Sequence, residues 1–426
     1  MLKKFPYIFG LVWVVVLFVI PLPLIQALAA GLPGRNAADA LAIQLGSVAY
    51  VWFLTAIYLS TRPKWLDRLI GLPNIYFIHG VLSLFAIGLA FIHKTNLHSH
   101  GLIQLTGNWA FDLFIGVMVY SLVFMAGWFT AHLKVIAQLK KVLEHVFHHE
   151  LTIWIHRLNI VAVVLVFIHV ELIGYITSIH AYMALFYLYS GFTLVAYLVK
   201  KLRDYRFLPV GHLVEKRALK DNFYKFKIKV GHLKWRKIQP GDYVFIKVPN
   251  VRGLRELHPF SVVNKVGEDG VITLAIRGDG DFTRQIQSLE LGELIQFDGG
   301  YGRFNTLITQ NDGDQLVLAT GGTGIVPMLA IIDAHPERLI TLFYTVHTAA
   351  DQIYVTQLEH WAATRATLTV HVQTGRFTPA TELQKFTGHR TTFLISGPYA
   401  LGQSWVRALR QRRIAASKYY YEEFNW

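Results

Sequence analysis

Residues 74–94, NIYFIHGVLSLFAIGLAFIHK, form a largely apolar stretch that contains two histidines, His79 and His93. As a helix with a rise of 1.5 Å per residue the stretch would be ~30 Å long, which is the thickness of the hydrocarbon core of a bilayer. An imidazole inside hydrocarbon is unfavourable unless it is paired or ligated. The stretch therefore predicts a transmembrane helix whose two histidines share a partner or a ligand.

A second stretch has the same character. Residues 151–170, LTIWIHRLNIVAVVLVFIHV, contain His156 and His169, thirteen residues apart, against fourteen for the first two histidines. Its length is also that of a transmembrane helix. Two such helices side by side would bring the four histidines together in two pairs.

Composition divides the chain into a membrane half and a soluble half. Of the 426 residues 53% are hydrophobic, the mean hydropathy is +0.37, and the apolar excess lies before residue 200. The first apolar run follows MLKKF as in a signal peptide, but it is longer than that of a signal peptide and no A-x-A site leads into a soluble domain, so we expect a retained helix. The chain has no cysteine, which excludes disulfides, thiolate nucleophiles and cysteine-ligated zinc or iron–sulfur sites. Six stretches are long enough to span a bilayer: Phe5–Leu28, Ala40–Ser60, Asn74–Ile92, Leu113–Ala131, Leu151–Val170 and Ser178–Val199.

The distribution of Lys and Arg over the short loops predicts the orientation of these helices. One side has only Arg35 and Lys94. The other side, which we expect to be cytoplasmic together with both termini, has Lys3, Lys4, Arg62, Lys64, Arg68, Lys134, Lys140, Lys141, Lys200, Lys201, Arg203 and Arg206. The net charge of +14 fits these membrane flanks, and no run of the nucleic-acid-binding type is present, so no nucleic-acid partner is expected.

The four histidines fall at two depths. Because the third and fifth helices run in the same direction, His79 and His156 lie near the cytoplasmic level and His93 and His169 near the outer level, ~21 Å away. One imidazole from each helix at each level is what a heme with two axial histidines requires, and this ligation favours electron transfer. The sequence thus predicts two stacked hemes with these four residues as iron ligands.

Two questions stay open from the residues alone. A single buried histidine is more often bonded to a backbone carbonyl, and histidines in a transporter with a nucleotide-sensing domain could relay protons; four at matched depths favour ligation. The second question concerns geometry, because a spacing of fourteen keeps one helix face to within about 40° whereas thirteen does not. The fifth helix must twist, widen locally or meet the two hemes from different sides.

From about Arg206 the hydrophobic pattern changes to a period of two. The runs Tyr224–Val230, Tyr243–Val248 and Val271–Ile276 alternate or are apolar, with glycine turns between them. Short strands separated by glycine turns predict a small antiparallel barrel.

The last third of the chain has a different pattern. The segment from Gln315, QLVLATGGTGIVPMLAIID, is typical of a buried strand, a glycine-rich turn and the start of a helix. Later strands are expected at Ile340–Val346 and Thr391–Ser396, and a helix through Ser404–Arg412. Alternating strands and helices predict a parallel sheet that binds its ligand at the carboxyl ends of the strands. The turn Gly321-Gly322-Thr323-Gly324 could bring backbone N–H groups to a pyrophosphate at a helix N-terminus.

Over nearly its whole length the chain resembles the NADPH oxidase and ferric reductase superfamily of transmembrane flavocytochromes b, in a compact prokaryotic form. The histidine spacings on the third and fifth helices match the heme ligands of that family. The resemblance implies FAD, two heme b groups and NADPH or NADH as cofactors, and a location in a bacterial plasma membrane. It also implies three domains: a six-helix transmembrane heme domain, an antiparallel FAD-binding β-barrel and a nicotinamide-dinucleotide-binding α/β domain like that of ferredoxin-NADP reductase. We place them at residues 1–205, 206–308 and 309–426.

Three segments resemble the flavin-binding segments of the family. His258-Pro259-Phe260-Ser261 matches H-P-F-[ST], which implies that Ser261 lies near the reactive edge of the flavin. The segment 276–283, IRGDGDFT, is similar to I-R-x-x-G-D-[WF]-T, which implies that Arg277 meets the FAD pyrophosphate. The segment 298–302, DGGYG, resembles D-G-P-Y-G with Gly300 in place of proline. Further FAD-binding residues implied by the second segment are Asp281, Phe282 and Thr283.

The nicotinamide-binding residues are also inferred from the resemblance. Gly321, Gly322, Thr323 and Gly324 match the dinucleotide turn of the family. Ser396-Gly397-Pro398 matches C-G-P, with serine where many members keep cysteine beside the nicotinamide. For the 2′-phosphate of NADPH the candidate is Arg376, and His347 stands where another basic residue is expected.

The C-terminal segment 421–426, YEEFNW, ends in aromatic residues. In the family an aromatic residue near the C-terminus stacks on the flavin until nicotinamide displaces it. We assign that role to Phe424, with Trp426 as the rival. The alternative is a terminal strand whose aromatic side chains belong to the core.

The function implied is transmembrane electron transfer from cytosolic NAD(P)H to an acceptor outside. The first choice of acceptor is O2, which would give superoxide, and the alternative is a ferric chelate. The oxidases of the family tend to have a basic residue deep in the second helix, and Ala40–Ser60 has none, so both acceptors stay open. No obligate protein partner is evident from the sequence.

Overall fold

The computed structural model describes residues 7–124, 149–231, 238–311, 313–388 and 390–423. The chain divides into two compact units. One, the helical unit, consists of residues 9–62 and 76–200. The other, the sheet unit, contains the described residues from Lys201 onward together with the short segment Pro63–Ile75. The domain boundaries at 205/206 and 308/309 stay predictions.

Six helical segments of the described residues are long and apolar enough to cross a membrane, as the sequence predicts. Most of their exposed side chains are large and hydrophobic, which suits a lipid environment and not water. The helices in order are α1 (Ile8–Val14), α2 (Leu22–Gly31), α3 (Ala40–Ser60), α4 (Lys64–Ile70), α5 (Leu72–Asn96), α6 (Gly101–Phe124), α7 (His149–Glu171), α8 (Gly174–Thr177) and α9 (His180–Arg206).

Helix α6 begins earlier than the sequence predicts. The expected span started at Leu113, whereas the helix starts at Gly101. Its first turns contain polar residues, Asn108 and Asp112 among them, and these break the apolar pattern that marks a span. The Asp112 carboxylate lies 3.8 Å from Nζ of Lys94, so the two charges stay near the surface as an ion pair. The end of the predicted span lies outside the described residues.

Helix α3 is the most buried of the spans and organises the helical unit. The ring of Phe53 stacks on Phe114 of α6, with centroids 3.9 Å apart and planes 5° apart. The ring of Tyr50 stacks on Phe186 of α9 at 4.9 Å, and its hydroxyl lies 2.9 Å from Oγ of Ser190. Aromatic contacts to two neighbouring helices therefore fix the height and rotation of α3.

The first sheet of the sheet unit is antiparallel throughout and has the order β4-β3-β6-β1-β2-β5. Its inward side chains form one apolar core, and the three strands predicted from the period of two are confirmed. The strands are β1 (Val210–Lys220), β2 (Phe223–Val230), β3 (Tyr243–Lys247), β4 (His258–Ser261), β5 (Val271–Arg277) and β6 (Leu294–Tyr301).

The six strands form an antiparallel sheet as predicted, but the barrel is not closed. The edge strands β4 and β5 are joined only by an isolated bridge between Val262 and Leu274, not by a continuous ladder. The side chain of Asn264 replaces the missing ladder bonds: its Oδ1 accepts from the backbone N–H of Thr273 at 2.8 Å, and its Nδ2 donates to the Val271 carbonyl at 3.0 Å. Because β4 is only four residues long, a side chain has to satisfy the backbone of β5.

The second sheet is parallel, with the order β11-β10-β7-β8-β9. This confirms the expected α/β pattern. The strands are β7 (Gln315–Gly321), β8 (Leu339–Val346), β9 (Leu368–Thr374), β10 (Thr391–Gly397) and β11 (Tyr419–Glu423). The helices of the sheet unit after α9 are α10 (Asp281–Ile286), α11 (Phe304–Gln310), α12 (Ile325–Ala334), α13 (Val355–Thr364), α14 (Pro379–Glu382) and α15 (Tyr399–Gln411).

Replacement of Asn264 tests how the edge of the first sheet is held. Asn264→Ala should destabilise β5 by about 1–3 kcal/mol, because it leaves a partly buried N–H and a carbonyl without their partner. Hydrogen exchange of the peptide that covers β5 measures the effect. Asn264→Asp can still accept a hydrogen bond but cannot donate one, so its protection of β5 should lie between that of the wild type and that of Asn264→Ala. Glu268→Ala, at an exposed position, is the matched control. Equal protection in Asn264→Ala and Glu268→Ala would contradict this role.

Candidate functional site

The helical unit brings the four predicted histidines together in two pairs. The ring centroids of His79 and His156 are 6.0 Å apart, and those of His93 and His169 are 6.3 Å apart. A metal–imidazole bond is about 2 Å long and the ring centre lies about 1 Å beyond the nitrogen, so two axial imidazoles on one ion have centroids about 6 Å apart. Both pairs have the separation of axial ligands.

In each of the four imidazoles the nitrogen Nδ1 is hydrogen-bonded to a neighbouring helix. His79 bonds to the carbonyl of Ala56 at 2.9 Å. In the second pair, His93 and His169 bond to the carbonyls of Ala42 and Ile103, at 2.9 and 2.8 Å.

A carbonyl oxygen can only accept a hydrogen bond, so in these three histidines Nδ1 carries the proton. The neutral ring then has its lone pair on Nε2. In the fourth, His156, Nδ1 lies 2.9 Å from the hydroxyl oxygen of Ser121, which can accept in the same way. Metal-ligating histidines are fixed in this manner, with the second nitrogen donating to a carbonyl or another oxygen.

Two imidazoles per pair are too few for zinc or non-heme iron, which take three or four ligands from the protein. Among the described residues no group of three or more His, Cys, Asp and Glu side chains could hold a metal ion. A porphyrin supplies four nitrogen ligands itself and needs two from the protein. The donor set therefore fits heme iron and not a simple metal site.

The spacing of thirteen on α7 does not require a widened turn. Helix α7 is α-helical from His149 to Glu171. Both of its histidines bond to α6 through Nδ1, and their rings meet their partners on α5 at different interplanar angles, 54° for the His79–His156 pair and 81° for the His93–His169 pair.

In the sheet unit the predicted dinucleotide turn lies at the point where the strand order reverses. From β7 the chain crosses to β8 and β9 on one side, whereas β10 and β11 lie on the other side. Such a switch point is where parallel sheets bind their ligands. The turn 321–324 follows β7, and Gly397 and Pro398 follow β10, so the structure brings these two predicted segments together.

The contact between the two turns requires residues without side chains. Gly397 has φ +136°, and a Cβ at this position would lie 2.9 Å from the carbonyl oxygen of Gly321. The hydroxyl of Ser396 donates to the carbonyl of Gly324 at 2.9 Å. Ser396 is fully buried and so positions the turn.

The two basic candidates for a 2′-phosphate lie on neighbouring strand ends. Arg376 follows β9 and His347 follows β8, and both are exposed. The backbone N–H of Gly375 donates to the carbonyl of Val346 at 2.9 Å, which keeps the ends of the two strands together. The structure thus places both basic side chains at the carboxyl edge of the parallel sheet.

The first two of the three predicted flavin segments contact each other. His258-Pro259-Phe260-Ser261 is strand β4, paired with β3. The ring of Phe282, from the second segment, stacks on His258 at 3.9 Å and lies 5.9 Å from Phe260. The aromatic side chains of the two segments therefore form one cluster.

The polar residues of the second segment are engaged with one another. Nε of Arg277 lies 2.6 Å from a carboxylate oxygen of Asp279, and Asp281 pairs with Arg284 at 2.7 Å. All four side chains are substantially exposed. The hydroxyl of Thr283 accepts from the backbone N–H of Gly280 at 2.7 Å and caps α10. Arg277 is thus at the surface, available to a phosphate that displaces Asp279.

Helix α4 contributes residues that sequence reasoning missed, since its basic side chains were interpreted only as membrane flanks. Arg68 donates to both carboxylate oxygens of Asp242 at 2.6 Å, and to the carbonyls of Gly302 at 2.7 Å and Gly300 at 3.1 Å. Asp67 accepts from the backbone N–H of Gly302 at 3.0 Å. The D-G-G-Y-G segment is therefore held by α4.

The glycine that replaces proline in this segment is explained by the same contacts. A Cβ at Gly300 would collide with a carboxylate oxygen of Asp242. Asp242 is 1% exposed, and its bidentate bond to Arg68 needs that space. Glycine at this position therefore leaves room for the buried ion pair.

Buried carboxyl groups gather where α4 meets the C-terminal strand. Burial raises the pKa of Asp242 to about 6 and raises the pKa of Asp67. Glu422 on β11 is 1% exposed. Its burial, and to a smaller extent repulsion from Asp67 and Asp242, raises the pKa of its carboxyl group well above the usual value. Phe424 and Trp426 lie outside the described residues, so the assignment of the flavin-stacking residue stays a prediction.

Comparison with known proteins supports a flavin site in the sheet unit. Residues 212–315 match the family model described as FAD-binding domain. Among curated proteins, the chain is 28% identical over 155 residues to the plasma membrane-associated coenzyme Q6 reductase PGA3 of Saccharomyces cerevisiae, covering 35% of this chain and 48% of that one. It is 24% identical over 213 residues to the reductase subunit of aromatic O-demethylase of Amycolatopsis, covering 44% and 61%. The chain thus spans less than two thirds of either relative.

Solved structures with partial likeness include reductases. For the cytochrome P450 reductase GcoB of Amycolatopsis the TM-score is 0.43 at 21% identity, over 51% of this chain and 69% of that one. For a ferredoxin NADP+ reductase of Neisseria gonorrhoeae the TM-score is 0.42 at 18% identity, over 50% and 97%.

Arg68 is the residue whose replacement tests the α4 contact. Arg68→Ala should destabilise the sheet unit by about 3–5 kcal/mol, because it leaves the Asp242 carboxylate buried without its partner. Hydrogen exchange of peptides covering β3 and β6 measures the loss. The exposed Arg217→Ala is the control for removal of a positive charge.

A double variant makes the test specific. Arg68→Ala combined with Asp242→Asn should be more stable than Arg68→Ala alone, since no unpaired charge remains. If Arg68→Ala changes the stability by less than about 1 kcal/mol, as is usual for a surface residue, the ion pair does not hold this segment.

Proposed function

We propose that the protein transfers electrons across a membrane, from cytosolic NAD(P)H by way of FAD and two b-type hemes to an acceptor on the other side. The observation that carries the proposal is the pair of bis-imidazole sites, with centroid separations of 6.0 and 6.3 Å, on helices long enough to span a bilayer. A flavin-binding domain in the same chain supports it.

The residues present fit two hemes. His79 and His156 would ligate the heme on the cytoplasmic side, and His93 and His169 the heme on the outer side. Each imidazole is neutral, held through Nδ1 and free to present the lone pair of Nε2. Heme held by these histidines would supply one-electron transfer.

The sheet unit supplies the residues for the two-electron donor. His258, Pro259, Phe260, Ser261 and the ring of Phe282 would hold the flavin, and Arg277, Asp281 and Thr283 its phosphate side. The turn 321–324 with Gly397 and Pro398 would bind the nicotinamide dinucleotide, with Arg376 as the candidate for a 2′-phosphate. Flavin converts a hydride into single electrons because it is stable with zero, one or two added electrons.

The distribution of positive charge supports the proposed orientation of the helices in the membrane. The loops that would face the cytoplasm contain most of the Lys and Arg of the membrane half. Both termini and the sheet unit would then be cytoplasmic, on the side where NAD(P)H is present. We place the protein in a bacterial plasma membrane on the family resemblance.

For the acceptor we propose O2, reduced to superoxide outside the membrane, with a ferric chelate as the alternative. The resemblance to the oxidases favours O2, and the lack of a basic residue in α3 favours the chelate. Turnover with NADPH or NADH in reconstituted vesicles should give cytochrome c reduction that superoxide dismutase abolishes. Reduction of Fe(III) that persists without O2, with no dismutase-sensitive signal, would replace O2 by the chelate.

Removal of one ligand tests the order of the two sites. His93→Leu should leave about one heme per chain and stop reduction of the external acceptor, while NAD(P)H still reduces the flavin. The measurements are the heme content and the flavin absorbance after rapid mixing with NAD(P)H. His98→Leu and His180→Leu, both exposed, are the matched controls and should behave as wild type. If external reduction survives in His93→Leu, the assignment of this ligand is wrong.

A further inference from the structure

Two glycines lie where the imidazoles of the His93–His169 pair rest on the neighbouring helices. A Cβ at Gly46 of α3 would lie 2.5 Å from Nδ1 of His93, and a Cβ at Gly107 of α6 would lie 3.1 Å from Nδ1 of His169. Real Cβ atoms essentially never approach a neighbour within 3.0 Å. In the close-packed interior of the unit, the two rings thus occupy the space that a side chain would fill.

Each glycine lies four residues after the residue whose carbonyl accepts the hydrogen bond of the histidine. His93 bonds to the carbonyl of Ala42, and Gly46 is four residues further along α3; His169 bonds to the carbonyl of Ile103, and Gly107 is four residues further along α6. A Cβ on a helix points toward the N-terminus, and thus over the carbonyl one turn before it. A side chain at either glycine would cover the carbonyl that accepts the imidazole proton.

The other pair is built differently. His79 bonds to the carbonyl of Ala56, and the residue four positions further is Ser60, not glycine. His156 bonds to the side chain of Ser121. The requirement for glycine is therefore confined to the His93–His169 pair, and the His79–His156 pair serves as an internal control.

We propose that Gly46 and Gly107 are positioning residues that set the orientation of the two axial imidazoles of the outer heme, and through the Nδ1 hydrogen bonds its redox potential. This inference rests on the proposed function. An imidazole that loses its Nδ1–H···O=C bond is a weaker donor to iron, which stabilises the ferric state less and raises the midpoint potential.

An added Cβ has less space at Gly46 than at Gly107, so the two alanine substitutions should differ in the size of their effect. Gly46→Ala should raise the midpoint potential of the outer heme more than Gly107→Ala, because the contact at 2.5 Å has to be relieved and the contact at 3.1 Å needs only a small shift. Gly46→Val should reduce the heme content from about two to about one per chain. Gly116 is the matched control, since it lies in α6, is exposed and has no heavy atom within 4 Å of an added Cβ.

The experiment uses the purified full-length chain with heme and FAD quantified. Potentiometric titration followed by heme absorbance resolves the two midpoints, and low-spin electron paramagnetic resonance spectra report the orientation of the ligand planes. We expect a shift of only one midpoint and one spectral component in Gly46→Ala, none in Gly116→Ala, and unchanged reduction of the flavin by NAD(P)H in both.

Outcomes that overturn the inference are distinct from those that overturn the function. Wild-type potentials and two hemes in Gly46→Val would refute the positioning role while the function stands. Equal changes in Gly46→Ala and Gly116→Ala, or a change in both midpoints, would assign the glycines to general packing and refute the role as well. Lack of heme in the wild-type protein would refute the proposed function itself.

Discussion

The hydrogen bond from an imidazole Nδ1–H to the backbone of a neighbouring helix is the constraint on which the helical unit depends. In hydrocarbon an N–H group without a partner is strongly unfavourable, so each buried histidine requires an acceptor at its own height. The helices supply these acceptors at matching intervals. Ala42 and Ala56 are fourteen residues apart on α3, as His79 and His93 are on α5. The spacing of the histidines is therefore mirrored in the helix that accepts their protons.

The same constraint fixes the chemistry of the pairs. A carbonyl acceptor selects one tautomer in His79, His93 and His169 and leaves the lone pair on Nε2, and the ring centroids of each pair are 6.0 and 6.3 Å apart. It also demands close approach to a helix backbone, which leaves no room for a Cβ at Gly46 and little at Gly107. Ligand geometry, tautomer and helix packing are thus one arrangement, and a change to any of them affects the other two.

In the sheet unit, the buried ion pair between Arg68 and Asp242 is a constraint of the same kind. Helix α4 lies between two membrane spans in sequence but folds with the sheets, through Arg68 and the 1% exposed Asp242. Removal of two charges from water is unfavourable unless they are bonded to each other and to the backbone, as they are here through Gly300 and Gly302. This segment adjoins the strand that leads to the C-terminal aromatic residues.

Hydrophobic period and motif spacing predicted the six apolar helices, the two histidine pairs and the parallel sheet with its glycine-rich turn. These features follow from local patterns. The open edge of the barrel was not predicted, because there the side chain of Asn264 takes the place of ladder bonds. Helix α4 was missed because Lys and Arg beside a span give the same sequence pattern whether they face lipid or protein. Gly46 and Gly107 gave no signal, since the need for glycine arises only when a ring from another helix packs against them.

The heme content of the purified wild-type protein, from cells supplied with heme, tests the central claim most directly. Reduction by NAD(P)H without O2 should produce the absorbance of b-type heme at about two hemes per FAD. Protein that contains FAD but no heme would contradict the assignment of the histidine pairs, and would revive the transporter in which these histidines relay protons.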